Sequence, residues 1–212
     1  KIATKIMLGS KINTMNLEEA NINHFAIKEA VFPFKRFTGV DTILGPEMRS
    51  TGEVMGIDKD FGMAFAKSQI GSGSKIPTGG SVFVSVKDAD KDKILRPVSE
   101  LISLGFEIYA TDGTAEFFNK NNIKAEKINK VLQGSPHIVE MISEKKISLV
   151  FNTTETPQAI KDSKSIRRSA LESETPYYTT VSGANAAVLA IKAIKNSEMT
   201  VKTIQSFGES LN

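Results

Sequence analysis

The chain has 212 residues, 40% of them hydrophobic, which is enough to bury the core of one or two domains. It contains no Cys and only two His, His24 and His137, which excludes disulfides, thiolate zinc sites and Cys nucleophiles, and we expect no metal site. The net charge of +3 comes from Lys and Arg interspersed with Asp and Glu, so we expect a mixed solvated surface and no nucleic-acid partner.

The first 72 residues are expected to form a smaller, mainly helical tail. The chain starts in helical periodicity without an initiator Met, so we expect it to be part of a longer protein. A strand at 25–34, an irregular Gly- and Pro-rich segment at 39–56 and a helix at 60–69 follow. This much loop leaves a thin core, so the tail is expected to dock on missing chain or on the next domain.

Targeting features are missing from the sequence. No run of ~18 apolar residues is present, and the first residues lack the layout and cleavage site of a signal peptide. We therefore expect a cytoplasmic protein without a membrane segment.

Residues 71–80 (GSGSKIPTGG) mark a change in organisation. Four Gly, two Ser and one Pro in this stretch are typical of a flexible connection. We therefore assign residues 1–72 to the tail, 73–80 to a linker and 81–212 to a second domain.

After the linker, strands alternate with helices. The predicted strands are 81–86, 106–109, 123–128, 147–151 and 176–179, and the predicted helices are 91–104, 114–121, 136–143, 156–169 and 182–193. The strand at 147–151 (ISLVF) is nearly all apolar, as in a parallel strand covered on both faces. This pattern predicts an α/β domain with a doubly wound, parallel, five-stranded sheet. Pro97 should kink the first helix or delay its start.

Polar side chains follow four of the predicted strands. In chain order they are Ser85, Lys87 and Lys91; Thr111 and Thr114; Asn129 and Lys130; and Asn152, Thr153 and Thr154. Open parallel sheets bind ligands beyond the carboxyl ends of their strands. We therefore expect these side chains to converge on one edge of the sheet.

The turn at 111–114 (TDGT) indicates an anion site, with phosphate as the first candidate. Thr111 and Thr114 offer hydroxyls, Gly113 permits close approach, and the helix start favours negative charge. An ordinary N-cap turn is the alternative explanation. Lys91 and Lys130 would hold a phosphate as point charges, or else be solvated surface groups.

Two further motifs leave alternatives open. Asn152, Thr153 and Thr154 suit recognition of a base or ribose, or a capping turn before the next helix. His137 fits a structural or ligand-facing role better than a general base, because no carboxylate near it in sequence suggests an orienting partner.

Several segments resemble the C-terminal end of the large subunit of the carbamoyl phosphate synthetases. The string at 45–56 (GPEMRSTGEVMG) is highly specific. The likeness extends over essentially the whole chain through FPF at 32–34, PHI at 136–138, NTT at 152–154 and IRRSAL at 166–171. The resemblance implies that the tail ends the ATP-grasp unit that forms carbamoyl phosphate, and that 81–212 is a regulatory domain of methylglyoxal-synthase-like fold.

In that family the regulatory domain binds nucleotides, with UMP as inhibitor and IMP as activator in many bacterial members. Carried over by residue, the effector phosphate would lie on Lys91, Thr111, Thr114 and Lys130, and its ribose or base on Asn152, Thr153 and Thr154. Ornithine, another activator, would bind near Glu29 and Tyr177. Tyr178 and Phe32 depart from the family pattern there.

The resemblance also bears on activity. The metal-binding residues of the ATP-grasp unit would precede Lys1, so this chain alone is expected to be non-catalytic and without cofactor. The full enzyme would use ATP and Mg²⁺ to make carbamoyl phosphate for pyrimidine and arginine synthesis. Its partners would be the rest of the large subunit, the glutamine amidotransferase small subunit and, as an open possibility, a second copy.

Two other functions are left open. One is a free-standing phosphate lyase of methylglyoxal-synthase type, which is not expected because the aspartate of those enzymes is replaced by the stretch 134–137 (GSPH). The other is an oligomerisation module that uses the same domain without a ligand.

Overall fold

A computed structural model describes residues 1–15, 17, 22–32, 52–129, 134–153 and 163–208. The chain divides into two compact units, residues 1–23 with 201–212 and residues 24–200. In the smaller unit, the described elements are α1 (Ile2–Met7), a 3-10 turn (Ile12–Thr14) and α8 (Ile204–Gly208). Within the described ranges, each helix is too short or too polar to cross a bilayer.

The larger unit begins with an antiparallel pair of strands followed by a helix. These elements are β1 (Phe25–Val31), β2 (Gly52–Asp58) and α2 (Phe61–Gly71). Phe25 lies opposite Asp58 in the pair. The carboxylate of Asp60 caps α2 by accepting the Met63 N–H at 2.8 Å, which satisfies one of the free amides of the first turn.

The strand β2 corrects two expectations about the tail. Its first residues fall in the segment predicted to be irregular, so that prediction is wrong from Gly52 to Gly56, and the described part of the tail is mixed rather than mainly helical. Gly has low strand propensity, which hid the pattern. Gly56 is needed because a Cβ atom there would overlap the Ala64 carbonyl oxygen of α2.

The second part of the larger unit holds the predicted sheet. Its strands are β3 (Gly80–Ser85), β4 (Phe106–Ala110), β5 (Glu126–Lys127), β6 (Ile147–Asn152) and β7 (Tyr177–Tyr178). They are ordered β5-β4-β3-β6-β7, and every neighbouring pair is parallel. The five-stranded parallel sheet is thus confirmed, although β5 is shorter than predicted.

Helices cover both faces of this sheet. They are α3 (Lys91–Ser103), α4 (Asp112–Lys120), α5 (Ile138–Ser143), α6 (Lys164–Glu172) and α7 (Val181–Asn196). Val82 and Val84 pack with α3, α4 and α7, whereas the intervening Phe83 packs with α5 and α6. The alternation of side chains along β3 therefore separates two cores, and the doubly wound architecture is confirmed.

The helices predicted at 91–104 and 156–169 correspond to α3 and α6. α3 starts at Lys91 as predicted and includes the buried Pro97, so the proline does not delay the start. Of the helix predicted at 156–169, the structure describes residues from 163 onward, and α6 continues beyond the predicted end to Glu172.

Within the larger unit, α2 of the predicted tail packs on the predicted second domain, as one of the two docking expectations stated. α2 packs against α7, and a Cβ atom on Gly62 would overlap the Leu189 carbonyl oxygen, so the two backbones approach closely. Residues 73–80 connect α2 to β3 inside the larger unit. The division into domains at this linker stays a prediction.

Candidate anion site

The ends of β3 and β4 form a cleft. Val84 lies opposite Ala110 in the parallel pair, so Ser85 and Thr111 emerge side by side. The cleft has a volume of about 240 Å³ and is lined by Ser85, Val86, Asp88, Lys91, Thr111, Asp112, Gly113 and Thr114. Pockets for whole drug-sized ligands are typically ~300–1,000 Å³. This cleft suits a small anion or the charged end of a longer ligand.

Three hydroxyl groups lie together in the cleft. The Thr111 hydroxyl is 3.4 Å from the Ser85 hydroxyl and 3.3 Å from the Thr114 hydroxyl. The Thr114 oxygen also accepts the Val86 N–H at 3.4 Å. Three hydroxyls carry three protons, and two mutual contacts use at most two of them, so at least one proton remains to be donated to a ligand.

The start of α4 adds backbone donors to the same wall. The first turn of a helix leaves N–H groups without partners inside the helix, and Asp112 and Gly113 supply two of them. Thr111 is the N-cap residue, yet its side chain makes no capping hydrogen bond. The ordinary capping explanation therefore does not account for its hydroxyl, which contacts Ser85 and Thr114 instead.

Lys91 supplies the positive charge of the cleft. Its Nζ atom lies 2.8 Å from the Asp88 Oδ1 atom and 5.8 Å from the ring centroid of Phe117. A cation above a ring face is attracted by the ring. Asp88 was not predicted as a site residue, although its i,i+3 spacing to Lys91 could have indicated the ion pair.

The structure thus brings Lys91, Thr111 and Thr114 into one cleft, as the sequence predicted. Lys130 and Thr154, which were predicted for the same site, lie outside the described residues. Their roles stay predictions.

Asn152 and Thr153 lie at the end of the next strand, beside the cleft. Asn152 is 2% exposed, and its Nδ2 atom donates to the Tyr177 hydroxyl at 2.6 Å. The Thr153 hydroxyl accepts the Lys87 N–H at 3.1 Å, and the Thr153 N–H donates to the Ser85 carbonyl at 3.0 Å. These bonds fix the loop after β3, and the predicted contact of Asn152 and Thr153 with ribose or base is untested.

His137 has a structural role, which is one of the two roles that the sequence favoured over a general base. It is the N-cap residue of α5, where its Nδ1 atom accepts the Glu140 N–H at 3.3 Å and its own N–H donates to the Glu140 carboxylate at 2.9 Å. Hydrogen bonds from the His137 backbone and the Ser135 hydroxyl lower the pKa of Glu140. The expectation that no nearby carboxylate contacts His137 is therefore wrong, and the capping-box spacing could have revealed Glu140.

Glu29 and Tyr177, predicted for a second effector, lie on different strands. Burial raises the pKa of Glu29, while a hydrogen bond from Gln69 lowers it. Gln69 also accepts the hydroxyl proton of Tyr178 at 3.2 Å, and burial raises the pKa of Tyr178 well above its ordinary value. Gln69 therefore joins β1 to β7, and the ornithine role stays a prediction.

A metal site in a protein needs several His, Asp or Glu side chains close together. In the ranges that the structure describes, no three His, Asp or Glu side chains are grouped so that they could hold a metal ion.

The fold and a family comparison define the class of the second domain. Residues 93–179 match the family described as MGS-like domain. This stretch contains β4, α4 and β6, including Thr111, Thr114 and Asn152 of the two strand ends. The described sheet and its helices therefore have an MGS-like α/β fold, and residues 93–179 are similar to that family.

Curated relatives extend the similarity to nearly the whole chain. It is 50% identical over 99% of its length to the carbamoyl phosphate synthase large chain of Rhizobium meliloti and 51% identical over 98% to that of Mesorhizobium japonicum. It is also 50% identical over 96% to that of Methanobrevibacter smithii. The chain covers 18% to 19% of the length of these relatives. The similarity to carbamoyl phosphate synthase large chains that the sequence indicated is confirmed.

A solved structure of methylglyoxal synthase from Elizabethkingia anophelis also matches. The match covers 54% of this chain and 80% of the methylglyoxal synthase chain, with 16% identity and a TM-score of 0.41. A similarity this low does not bear on function.

Proposed function

We propose that this chain is the regulatory part of a carbamoyl phosphate synthase large chain and that its cleft binds the phosphate of a nucleoside monophosphate. The observation that carries the proposal is the convergence of three hydroxyls, a helix start and Lys91 on one cleft. UMP and IMP are the nucleotides that the family resemblance suggests.

The contacts proposed for the phosphate follow from the donors in the cleft. Its oxygens would accept protons from the hydroxyls of Ser85, Thr111 or Thr114 and from the first amides of α4, while Lys91 would balance the charge. The cleft volume of about 240 Å³ suits the phosphate group alone. Ribose and base would then extend toward the end of β6, where Asn152 and Thr153 lie, with Lys130 and Thr154 completing the site.

The activity of the whole protein is proposed from its relatives. Their name supports the synthesis of carbamoyl phosphate. The family resemblance suggests that the whole protein is an ATP-dependent ligase that takes nitrogen from glutamine and serves pyrimidine and arginine synthesis. ATP and Mg²⁺ would be used by the remainder of the large chain, which would be a partner together with a glutamine amidotransferase subunit. This chain alone would be non-catalytic and cytoplasmic, and ornithine would bind near Glu29 and Tyr177.

Regulation would act by coupling between the cleft and the synthase. A nucleotide that favours one arrangement of the regulatory domain would shift the affinity of the enzyme for ATP. Such coupling is typically ~1–3 kcal/mol and must be reciprocal. ATP should therefore change nucleotide affinity by the same factor.

Calorimetric titration of the chain with UMP and IMP tests the proposal. We expect binding at one site and at least about tenfold weaker binding for Thr114→Ala and Lys130→Ala, because each loses a phosphate contact. Thr180→Ala is the matched control: Thr180 caps α7 outside the cleft by accepting the Gly183 N–H at 3.0 Å, so its loss should lower stability but not affinity. Absence of binding at millimolar nucleotide would contradict the proposal, and release of methylglyoxal from dihydroxyacetone phosphate would favour the lyase alternative.

A further inference from the structure

Asp88 is the acidic residue that holds the cation of the cleft. It belongs to the 3-10 turn Asp88–Asp90 between β3 and α3, and both Asp88 and Lys91 line the cleft. The carboxylate oxygen lies 2.8 Å from the Lys91 Nζ atom. A ligand phosphate that needs Lys91 must therefore share it with Asp88 or displace Asp88.

The two partners of this ion pair differ in how they are held. The Lys91 side chain is 19% exposed and lies near the Phe117 ring, whereas the Asp88 side chain is 94% exposed. Ion pairs with so much exposure are weak, since water screens the charges and the side chains lose freedom. Asp88 is therefore the partner that can move away while Lys91 stays in the cleft.

Asp112, the other carboxylate of the cleft, has a different environment. Its Oδ1 atom lies 3.5 Å from the Nζ atom of Lys127, which also contacts Glu116 at 3.2 Å. A cation from β5 thus compensates the charge of Asp112. Asp88, by contrast, is bound to the lysine that the ligand would use.

We propose that Asp88 is an internal competitor of the ligand phosphate for Lys91 and that it sets the affinity of the site. The inference rests on the proposed phosphate-binding function. Asp88 weakens binding in two ways: its contact with Lys91 is lost when the ligand binds, and its remaining negative charge repels the ligand. Both effects disappear in Asp88→Asn.

The test is calorimetric titration of the whole chain with orthophosphate and with UMP at low salt. Asp88→Asn is expected to bind both about threefold to tenfold more tightly, the size of one unit-charge interaction screened by bulk water. Added salt should reduce the gain. Asp92→Asn is the matched control, because Asp92 is an exposed acid in the first turn of α3, four residues after Asp88, and does not line the cleft. It should change affinity by less than about twofold.

A double-mutant cycle separates displacement from simple repulsion. In a Lys91→Gln background, Asp88→Asn should produce a clearly smaller gain, because no ammonium is left to release. An equal gain in both backgrounds would overturn the proposal. Binding by the wild type with no tightening in Asp88→Asn would also overturn it while leaving phosphate binding intact. Failure of wild type and variant alike to bind, with normal thermal unfolding, would remove the proposed function and this inference together.

Discussion

Two neighbouring places along the carboxyl edge of the sheet, the ends of β3 and β4 and the ends of β6 and β7, use their polar groups differently. At the β3–β4 end, Ser85, Thr111 and Thr114 share fewer mutual contacts than they have protons, so donors remain for a ligand. At the β6–β7 end, Asn152 donates to Tyr177. A position at the carboxyl edge of a parallel sheet therefore does not make a binding site by itself. The hydroxyls at the β3–β4 end have protons left to donate to the proposed phosphate, whereas the Asn152 amide already donates to a neighbouring strand.

The largest expected effect is a loss of stability at the β6–β7 end. Asn152→Ala removes a buried amide, leaves the Tyr177 hydroxyl without its donor and opens a small cavity, so the free energy of unfolding should fall by about 2–3 kcal/mol. Urea unfolding measures this, and orthophosphate affinity should change little. Tyr177→Phe is the control and should cost about 1 kcal/mol. Loss of phosphate binding with unchanged stability would mean that the two ends have the same role.

At the β3–β4 end, Thr114→Val should lower both the stability and the affinity for orthophosphate. The Val86 N–H loses its acceptor, which should cost about 1–2 kcal/mol, and a ligand donor is removed, so orthophosphate should bind at least about tenfold more weakly. Thr153→Val is the matched variant at the neighbouring strand end, since it removes the hydroxyl that accepts the Lys87 N–H. It should lower stability with little change in phosphate affinity. Equal losses of phosphate affinity in both variants, measured by calorimetry, would show that the two strand ends do not differ in their roles.

Lys91→Gln should separate binding from folding. Its ion pair with the exposed Asp88 contributes little stability, so unfolding should change by less than about 0.5 kcal/mol. Orthophosphate affinity should fall about fivefold to tenfold because a point charge is lost. Lys93→Gln, an exposed neighbour in α3, is the control for net charge. A similar loss of affinity in both variants would show that only overall charge matters.

The smallest effect concerns Glu29 in the predicted tail. Hydrogen bonds through Gln69 connect Glu29 to Tyr178 of β7. Burial raises the pKa of Glu29 above 4.5, so the folded state binds a proton more readily than the unfolded state. Stability from this group is therefore present at acidic pH and is lost as pH rises through the raised pKa. Glu29→Gln should be slightly more stable than wild type at neutral pH, and the difference should vanish on acidification below about pH 4.5.

Thermal unfolding as a function of pH measures this difference. The control is Glu53→Gln, which alters an exposed carboxylate of the same strand pair that contacts Lys28 at 2.6 Å. A destabilised Glu29→Gln at neutral pH would show that the charge of Glu29 is favourable.

Much of the fold could be predicted from the sequence because its central strands have simple patterns. β6 is almost entirely apolar, and β3 and β4 end at polar turns, so their bounds were predicted within about a residue. β2 was missed because Gly56 is required by the approach of α2, a tertiary cause that hides the strand pattern.

The candidate site was predictable where strand ends determine it. Thr111 and Thr114 follow β4 directly, and parallel pairing brings them to Ser85. The partner of Asn152 was not predictable, because Tyr177 is distant in sequence and meets it only through the order of the strands. Asp88 was missed because an acidic residue is not expected to line an anion site.

The proposed function depends on binding of the phosphate by the β3–β4 cleft itself. Gly113→Ala tests it most directly, because the added Cβ atom would lie 3.7 Å from the Lys91 Nζ atom, on the wall of the cleft. Ala is favoured over Gly in a helix by about 0.5–1 kcal/mol, so the variant should be at least as stable as the wild type. Calorimetry should then show orthophosphate and UMP binding about tenfold more weakly to this stable variant. Unchanged affinity for both ligands would show that the phosphate does not bind in this cleft.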